Sequence, residues 1–188
     1  RVGYDRKWGF LLNYKIRDEK ELGKKHEVEY NLDLAGLASA RTDNFNLTLF
    51  IDEKAASDIV DQDILQRAVA IHPGTSDLRK QWPIDNFVRL AKRITGEMDL
   101  PVIIIGGKED SVKNKSEFTG FGNMLIDITG KTSLLQLAAV LKKARLLVSC
   151  DSGPIHLAAA VNTPVVALFR NDLPGKNMMC TNSHNTSS

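Results

Sequence analysis

Apolar and polar positions change rhythm part-way along the chain. Up to about residue 50 the pattern is mixed. "HEVEYNLDLAGLA" (26–38) places Val28, Leu32, Ala35 and Leu37 at roughly helical spacing, and "NLTLFI" (46–51) reads as a short strand. "DEKAASDIVDQDILQRA" then reads as one polar-faced helix opening at Asp52, a residue type suited to an N-cap. From Val69 the pattern becomes regular. "VAIH" (69–72) predicts a strand stopped by Pro73-Gly74, and "IDNFVRLAKRI" (84–94) sets Ile84, Phe87, Val88, Ala91 and Ile94 on one helical face. Asp85 falls in the first turn of that helix, where the dipole favours an acid. "PVIIIGG" (101–107) predicts a buried strand, "EDSVKNKSEF" a short helix and "MLIDIT" (124–129) a further strand. "SLLQLAAVLKKA" (133–144) is an amphipathic helix with Ser133 as its cap. "RLLVSC" predicts a strand, "PIHLAAAV" a helix with proline near its first position, and "PVVALF" (164–169) a last strand.

Strand and helix therefore alternate from about residue 68 to 169, and the strands are continuously apolar rather than alternating. Both features predict an α/β fold: a Rossmann-like parallel sheet with helices on both faces. Such sheets bind ligands beyond the carboxyl ends of their strands. Four loops then hold the candidate chemistry, those after His72, Ile105, Thr129 and Cys150.

Composition narrows the reading. The chain has 188 residues, 43% hydrophobic and 26% charged, the balance of a globular protein that can bury a core. A net charge of +2 gives no basic footprint for nucleic acid. The pairs Lys24-Lys25 and Lys142-Lys143 read as solvated faces. The two cysteines, Cys150 and Cys180, form no CxxC pair, so neither a metal nor a redox framework is expected, and a reducing, cytoplasmic setting fits. No apolar run approaches the length of a membrane span. The chain opens on "RVGYDRKWGFLL" and closes on the polar "CTNSHNTSS"; it is expected to be a piece of a longer protein on its N-terminal side.

In "VSCDSGPIHLAAAVNTPVVALF" an acid, a hydroxyl, a glycine and a histidine stand between a strand and a helix. A strand-to-helix turn at Asp151-Ser152-Gly153-Pro154 presents backbone N–H groups at the positive helix end, where anions bind. Gly153 admits close approach, Ser152 adds a hydroxyl, and His156 falls in the first turn. An ordinary helix capped by Asp151 or Ser152 accounts for the same residues. "HPGTSDLRKQWP" (72–83) offers the hydroxyls of Thr75 and Ser76 and the charges of Arg79 and Lys80; a solvated turn is the plain alternative. In "GGKED" (106–110), Glu109 or Asp110 could bond ribose hydroxyls, or Asp110 could cap a helix. "TGKTS" (129–133) lacks the spacing of a P-loop, and no G-x-G-x-x-G follows any strand.

Taken together, "IHPGTSDLRKQWP", "VIIIGGKED" and "DITGKTSLLQLAAVLKKARLLVSCDSGPIHLAAAVNTPVVALF" resemble glycosyltransferase family 9, the heptosyltransferase family of lipopolysaccharide core synthesis. The resemblance covers about residues 1–170. It implies the C-terminal half of a GT-B fold, with residues 1–50 a remnant of an N-terminal acceptor domain and linker, 51–175 a nucleotide-sugar-binding domain, and 176–188 a polar tail. It also implies an inverting transfer from ADP-heptose to a lipopolysaccharide core acceptor, without a metal or other cofactor. Carried over by position, Asp151, Ser152, Gly153 and His156 would bind the donor's diphosphate region. Thr75, Ser76 and Lys80 would hold the diphosphate, with Lys80 stabilising the leaving group. Glu109 would contact the ribose, and Thr132 would lie near the adenine or ribose. No residue here is assigned as the base, so the chain alone is expected to bind nucleotide but transfer no sugar. A peripheral position on the inner membrane is implied through the acceptor domain. After Phe169 the family continues with glycine and a hydroxyl residue, whereas this chain reads "RNDLPGK". Two other readings stand beside this one: a GT-B-like sugar-nucleotide epimerase, and a non-catalytic nucleotide-binding module.

Overall fold

A computed structural model describes residues 1–25, 27–42, 47, 49–52, 54–75, 77–110 and 116–169. The chain divides into two compact units, one built on Arg1–Asn46 and the other on Leu47–Asn171.

In the first unit, β1 (Val2–Asp5) and β2 (Tyr14–Arg17) pair in parallel, joined by a single 3-10 turn at Gly9–Leu11. Helix α1 (Glu27–Leu37) follows at the expected helical segment. Its Tyr30 is buried; the hydroxyl donates to the Glu19 carbonyl at 3.1 Å, and the Tyr30 carbonyl accepts from the Tyr4 hydroxyl.

The second unit opens differently from the sequence pattern. The described residues of the segment expected as a strand, Leu47 and Leu49–Ile51, have no regular structure. Leu49 and Ile51 are half-buried against one core face, so the alternation records burial beneath helices rather than strand pairing. The single helix expected from Asp52 is two, α2 (Lys54–Ser57) and α3 (Gln62–Arg67). Asp52 does cap, accepting from Lys54 N–H at 2.9 Å. A second cap, Asp61, accepts from Asp63 N–H at 2.9 Å and starts the helix anew.

The regular part then runs β3 (Val69–His72), α4 (Ile84–Glu97), β4 (Val102–Ile104), β5 (Leu125–Asp127), α5 (Leu134–Lys143), β6 (Leu146–Cys150), α6 (Gly153–Ala160) and β7 (Val165–Leu168). Lys108–Asp110 form a 3-10 turn; of the short helix expected at 109–118, residues 111–115 lie outside the described set, and Ser116 and Glu117 are helical. All five strands of the second unit are parallel, in the order β5-β4-β3-β6-β7. This is the expected α/β, Rossmann-like arrangement.

Side chains alternate between two cores. Val69, Ile71, Val102, Ile104, Val148 and Cys150 face α4, whose Phe87 and Ala91 are wholly buried. Ala70, Ile103, Ile105 and Leu147 face α2, α3, α5 and α6. The change of face follows from handedness. The chain moves one way from β3 to β5 and back the other way to β6 and β7, so right-handed crossovers put the later helices on the opposite side. The strand order reverses between β3 and β6, and the carboxyl ends of that pair form the topological switch point.

Candidate functional site

Parallel register sets His72, the last residue of β3, directly beside Ser149 of β6. Both are buried, and the imidazole Nδ1 lies 3.2 Å from Ser149 Oγ and 3.0 Å from Ser152 Oγ. The two hydroxyls are 2.9 Å apart, and each donates to the Cys150 carbonyl, at 2.8 Å from Ser149 and 2.9 Å from Ser152. Burial pushes the His72 pKa below its ordinary value; the negative charges of Asp110 and Glu109 pull it back only in part.

Ser152 occupies the N-cap position of α6 in extended conformation, but its side chain makes no cap hydrogen bond. It is turned back onto the strand end instead. Gly153 opens the helix, and no atom comes within 4 Å of where its Cβ would lie. The first N–H groups of any helix lack intrahelical acceptors, so this turn is an open, positive end beside an unobstructed glycine. His156 is exposed in the first turn, as expected.

The loop after β3 reaches the same place. Lys80 Nζ lies 2.6 Å from Asp151 Oδ2, with about a third of each side chain exposed. Arg79, the other cation of that loop, is engaged locally, with Nε and Nη2 donating to Asp77 at 3.0 and 2.9 Å. Those bonds hold the Asp77 carboxyl down at about 2. Lys80 is thus the cation of this loop that reaches across to β6. Trp82 N–H donates to Cys150 Sγ at 3.3 Å, a second tie between the two loops. Burial raises the Cys150 thiol pKa, which disfavours the thiolate.

Asp110 pins the loop after β4. Its Oδ2 accepts from Gly107 N–H at 3.0 Å. A Cβ on Gly74 would stand 2.8 Å from that oxygen, and one on Gly106 2.9 Å from it, so the carboxylate packs over two bare glycines of different loops. It braces these loops; the helix that it was expected to cap begins outside the described residues. The loops after β4 and β5 are joined by Gly130 N–H, which donates to the Gly106 carbonyl at 3.0 Å; Gly130 is left-handed at φ +71°.

The structure therefore gathers Lys80, Asp151, Ser152 and Gly153 at the switch point. Thr75 stands on the same loop as Lys80, with its Oγ accepting from Asp77 N–H at 3.3 Å. Ser76 lies outside the described residues. Glu109 is exposed and Thr132 half-buried, on the adjoining loops after β4 and β5. Sequence reasoning gave no role to His72 or Ser149, whose partners are set by register between distant strands. The signal available was a histidine closing an otherwise apolar strand. Among the described residues no group of three or more His, Cys, Asp or Glu side chains is placed to hold a metal ion.

A parallel α/β domain with cation, hydroxyl and open helix end at its switch point defines a class of anion- or nucleotide-binding domains. The family model for glycosyltransferase family 9 (heptosyltransferase) matches residues 1–188, and the chain belongs to that family. A relative, the lipopolysaccharide core heptosyltransferase OpsX of Haemophilus influenzae, is 30% identical over 120 residues, 63% of this chain and 34% of that protein. Among solved structures, ADP-heptose lipopolysaccharide heptosyltransferase II of E. coli superposes with TM-score 0.71 at 24% identity, covering 87% of this chain and 53% of that one. E. coli heptosyltransferase WaaC with ADP gives TM-score 0.59 at 22% identity, covering 85% and 49%. The chain thus spans about half the length of these structural relatives, and the likeness to them is one of fold.

Proposed function

We propose that this chain forms the donor-binding part of an inverting heptosyltransferase, which moves a heptose from ADP-heptose to a lipopolysaccharide core acceptor. The observation that carries this reading is the meeting of Lys80 with the open Asp151–Gly153 turn at the switch point. An acceptor hydroxyl attacks the anomeric carbon, the bond from that carbon to the diphosphate oxygen breaks, and ADP leaves. Charge builds on the departing diphosphate. Lys80 and the α6 amides stand where that charge develops, preorganised to stabilise it. In this scheme Lys80 exchanges Asp151 for phosphate oxygen, and no metal is called on. Thr75, Ser76, Ser152 and His156 complete the diphosphate contacts, while Glu109 and Thr132 address ribose and adenine. The attacking hydroxyl gives its proton to a base supplied outside the residues assigned here. The named lipopolysaccharide heptosyltransferase relatives support a lipopolysaccharide acceptor, and we place the enzyme in the cytoplasm, at the inner-membrane surface.

Calorimetric titration of ADP and UDP, each with and without EDTA, tests the reading. ADP is expected to bind more tightly than UDP and to be indifferent to EDTA. Binding of UDP alone would overturn the donor assignment in favour of an epimerase-like protein or another transferase. Abolition by EDTA would overturn the metal-free scheme.

A further inference from the structure

His72 is a buried ionisable side chain beside the site, and the transfer scheme gives it nothing to do. It sits at the end of β3, opposite Ser149 and 3.0 Å from the hydroxyl of Ser152. Ser152 has the residue type, position and extended backbone of an N-cap, yet it does not cap. Its oxygen is occupied elsewhere. Both serine hydroxyls are placed to donate to the Cys150 carbonyl. With those protons directed there, the imidazole Nδ1 is the group placed to donate to Ser152 Oγ.

We propose that His72 is a positioning residue: as the Nδ1–H tautomer it holds Ser152 against the strand end, so that this hydroxyl does not cap its own helix and the α6 N-terminus stays open to a diphosphate. The proposal rests on the diphosphate reading of that turn. A free Ser152 would turn its oxygen toward the first amides of α6 and compete with the ligand for them. His72 also ties the β3 loop, which bears Lys80, to the β6 turn that Lys80 approaches. The low pKa that burial gives His72 agrees with a ring that stays uncharged at neutral pH.

Two measurements test this. The first needs no ligand: nitrogen NMR of the imidazoles in the full chain, at pH 7.5. The Nδ1–H tautomer is expected for His72; an Nε2–H ring or an imidazolium would overturn the proposal. The second is the affinity for ADP of His72→Leu, His72→Asn, Ser152→Ala and the His72→Leu/Ser152→Ala double variant. One lost neutral hydrogen bond corresponds to about a tenfold weakening, the loss expected for His72→Leu. His72→Asn keeps a donor near the Nδ1 position and should recover to within about threefold of wild type, while His72→Gln should not. Adding His72→Leu to Ser152→Ala should weaken binding by less than about twofold, because His72 acts through that hydroxyl. Unchanged affinity in a folded His72→Leu, or losses that multiply in the double variant, would overturn the proposal. If the wild-type chain prefers UDP, the donor reading fails alone, and the same variants are compared on UDP.

Discussion

Two serines open helices in this sheet, and they behave in opposite ways. Ser133, between β5 and α5, makes a complete capping box: its Oγ accepts from Gln136 N–H at 3.2 Å, and its own N–H donates to Gln136 Oε1 at 2.9 Å. Ser152, between β6 and α6, has the same position and an extended backbone, and caps nothing. The residue type is the same; the neighbours differ. Ser133 has a glutamine three residues on, whereas Ser152 has a prolyl second residue and a histidine 80 residues upstream that claims its oxygen. A helix end closed by its own side chain is structural. A helix end whose cap is held aside is free to receive an anion.

The largest effect should come from the cation at the open end. A hydrogen bond to a charged group is worth about 1.5–3 kcal/mol, so Lys80→Ala should weaken ADP binding about 10- to 100-fold in calorimetry. Its thermal stability should barely move, since the Lys80–Asp151 pair is a third exposed on each side and such pairs contribute under about 1 kcal/mol. An unchanged Kd would place the diphosphate elsewhere.

The next effect separates the two serines. Ser133→Ala should cost about 1 kcal/mol of stability in urea unfolding and leave ADP affinity alone. Ser152→Ala removes no cap bond, so it should cost less stability than Ser133→Ala; it does remove the hydroxyl that the scheme turns from the Cys150 carbonyl to the diphosphate, so it should weaken ADP binding by about tenfold. If both variants lose stability equally and bind alike, the two helix ends do the same job.

The smallest effect is on pH. His72 resists protonation in the folded chain, while in the unfolded chain it titrates at the ordinary 6.5. Below about 6.5 the unfolded state takes a proton that the native state refuses, so this contribution is fully present above that pH and lost as pH falls. Unfolding titrations between pH 5 and 8 should show a shallower acid slope in His72→Asn than in wild type. An equal slope would mean that His72 titrates normally when folded.

Much of this was legible in the residues. The five apolar runs between Val69 and Phe169 gave the sheet, and Ser133 was legible as a cap, because those signals are local. The Asp151-Ser152-Gly153 strand-to-helix turn was legible for the same reason. Three things were not. Leu49 and Ile51 mimic a strand because apolar spacing cannot distinguish a covered irregular segment from a paired one. Asp61 splits a helix that periodicity would continue. The diversion of Ser152 by His72, and the bracing of Gly74 by Asp110, depend on which strands are neighbours, and the β3–β6 pairing joins segments some 77 residues apart. Register across that distance is a property of the fold.

The most direct test of an open, anion-receiving helix end is ADP titration of Gly153→Ala. The added Cβ meets no atom within 4 Å, and alanine is the better helix former, so the variant should be as stable as wild type or slightly more so. The methyl group would nevertheless stand where the diphosphate approaches the backbone. The account predicts unchanged or raised Tm together with at least about tenfold weaker ADP binding. Wild-type affinity in that variant would contradict it, and would leave the turn at the end of β6 as an ordinary helix start.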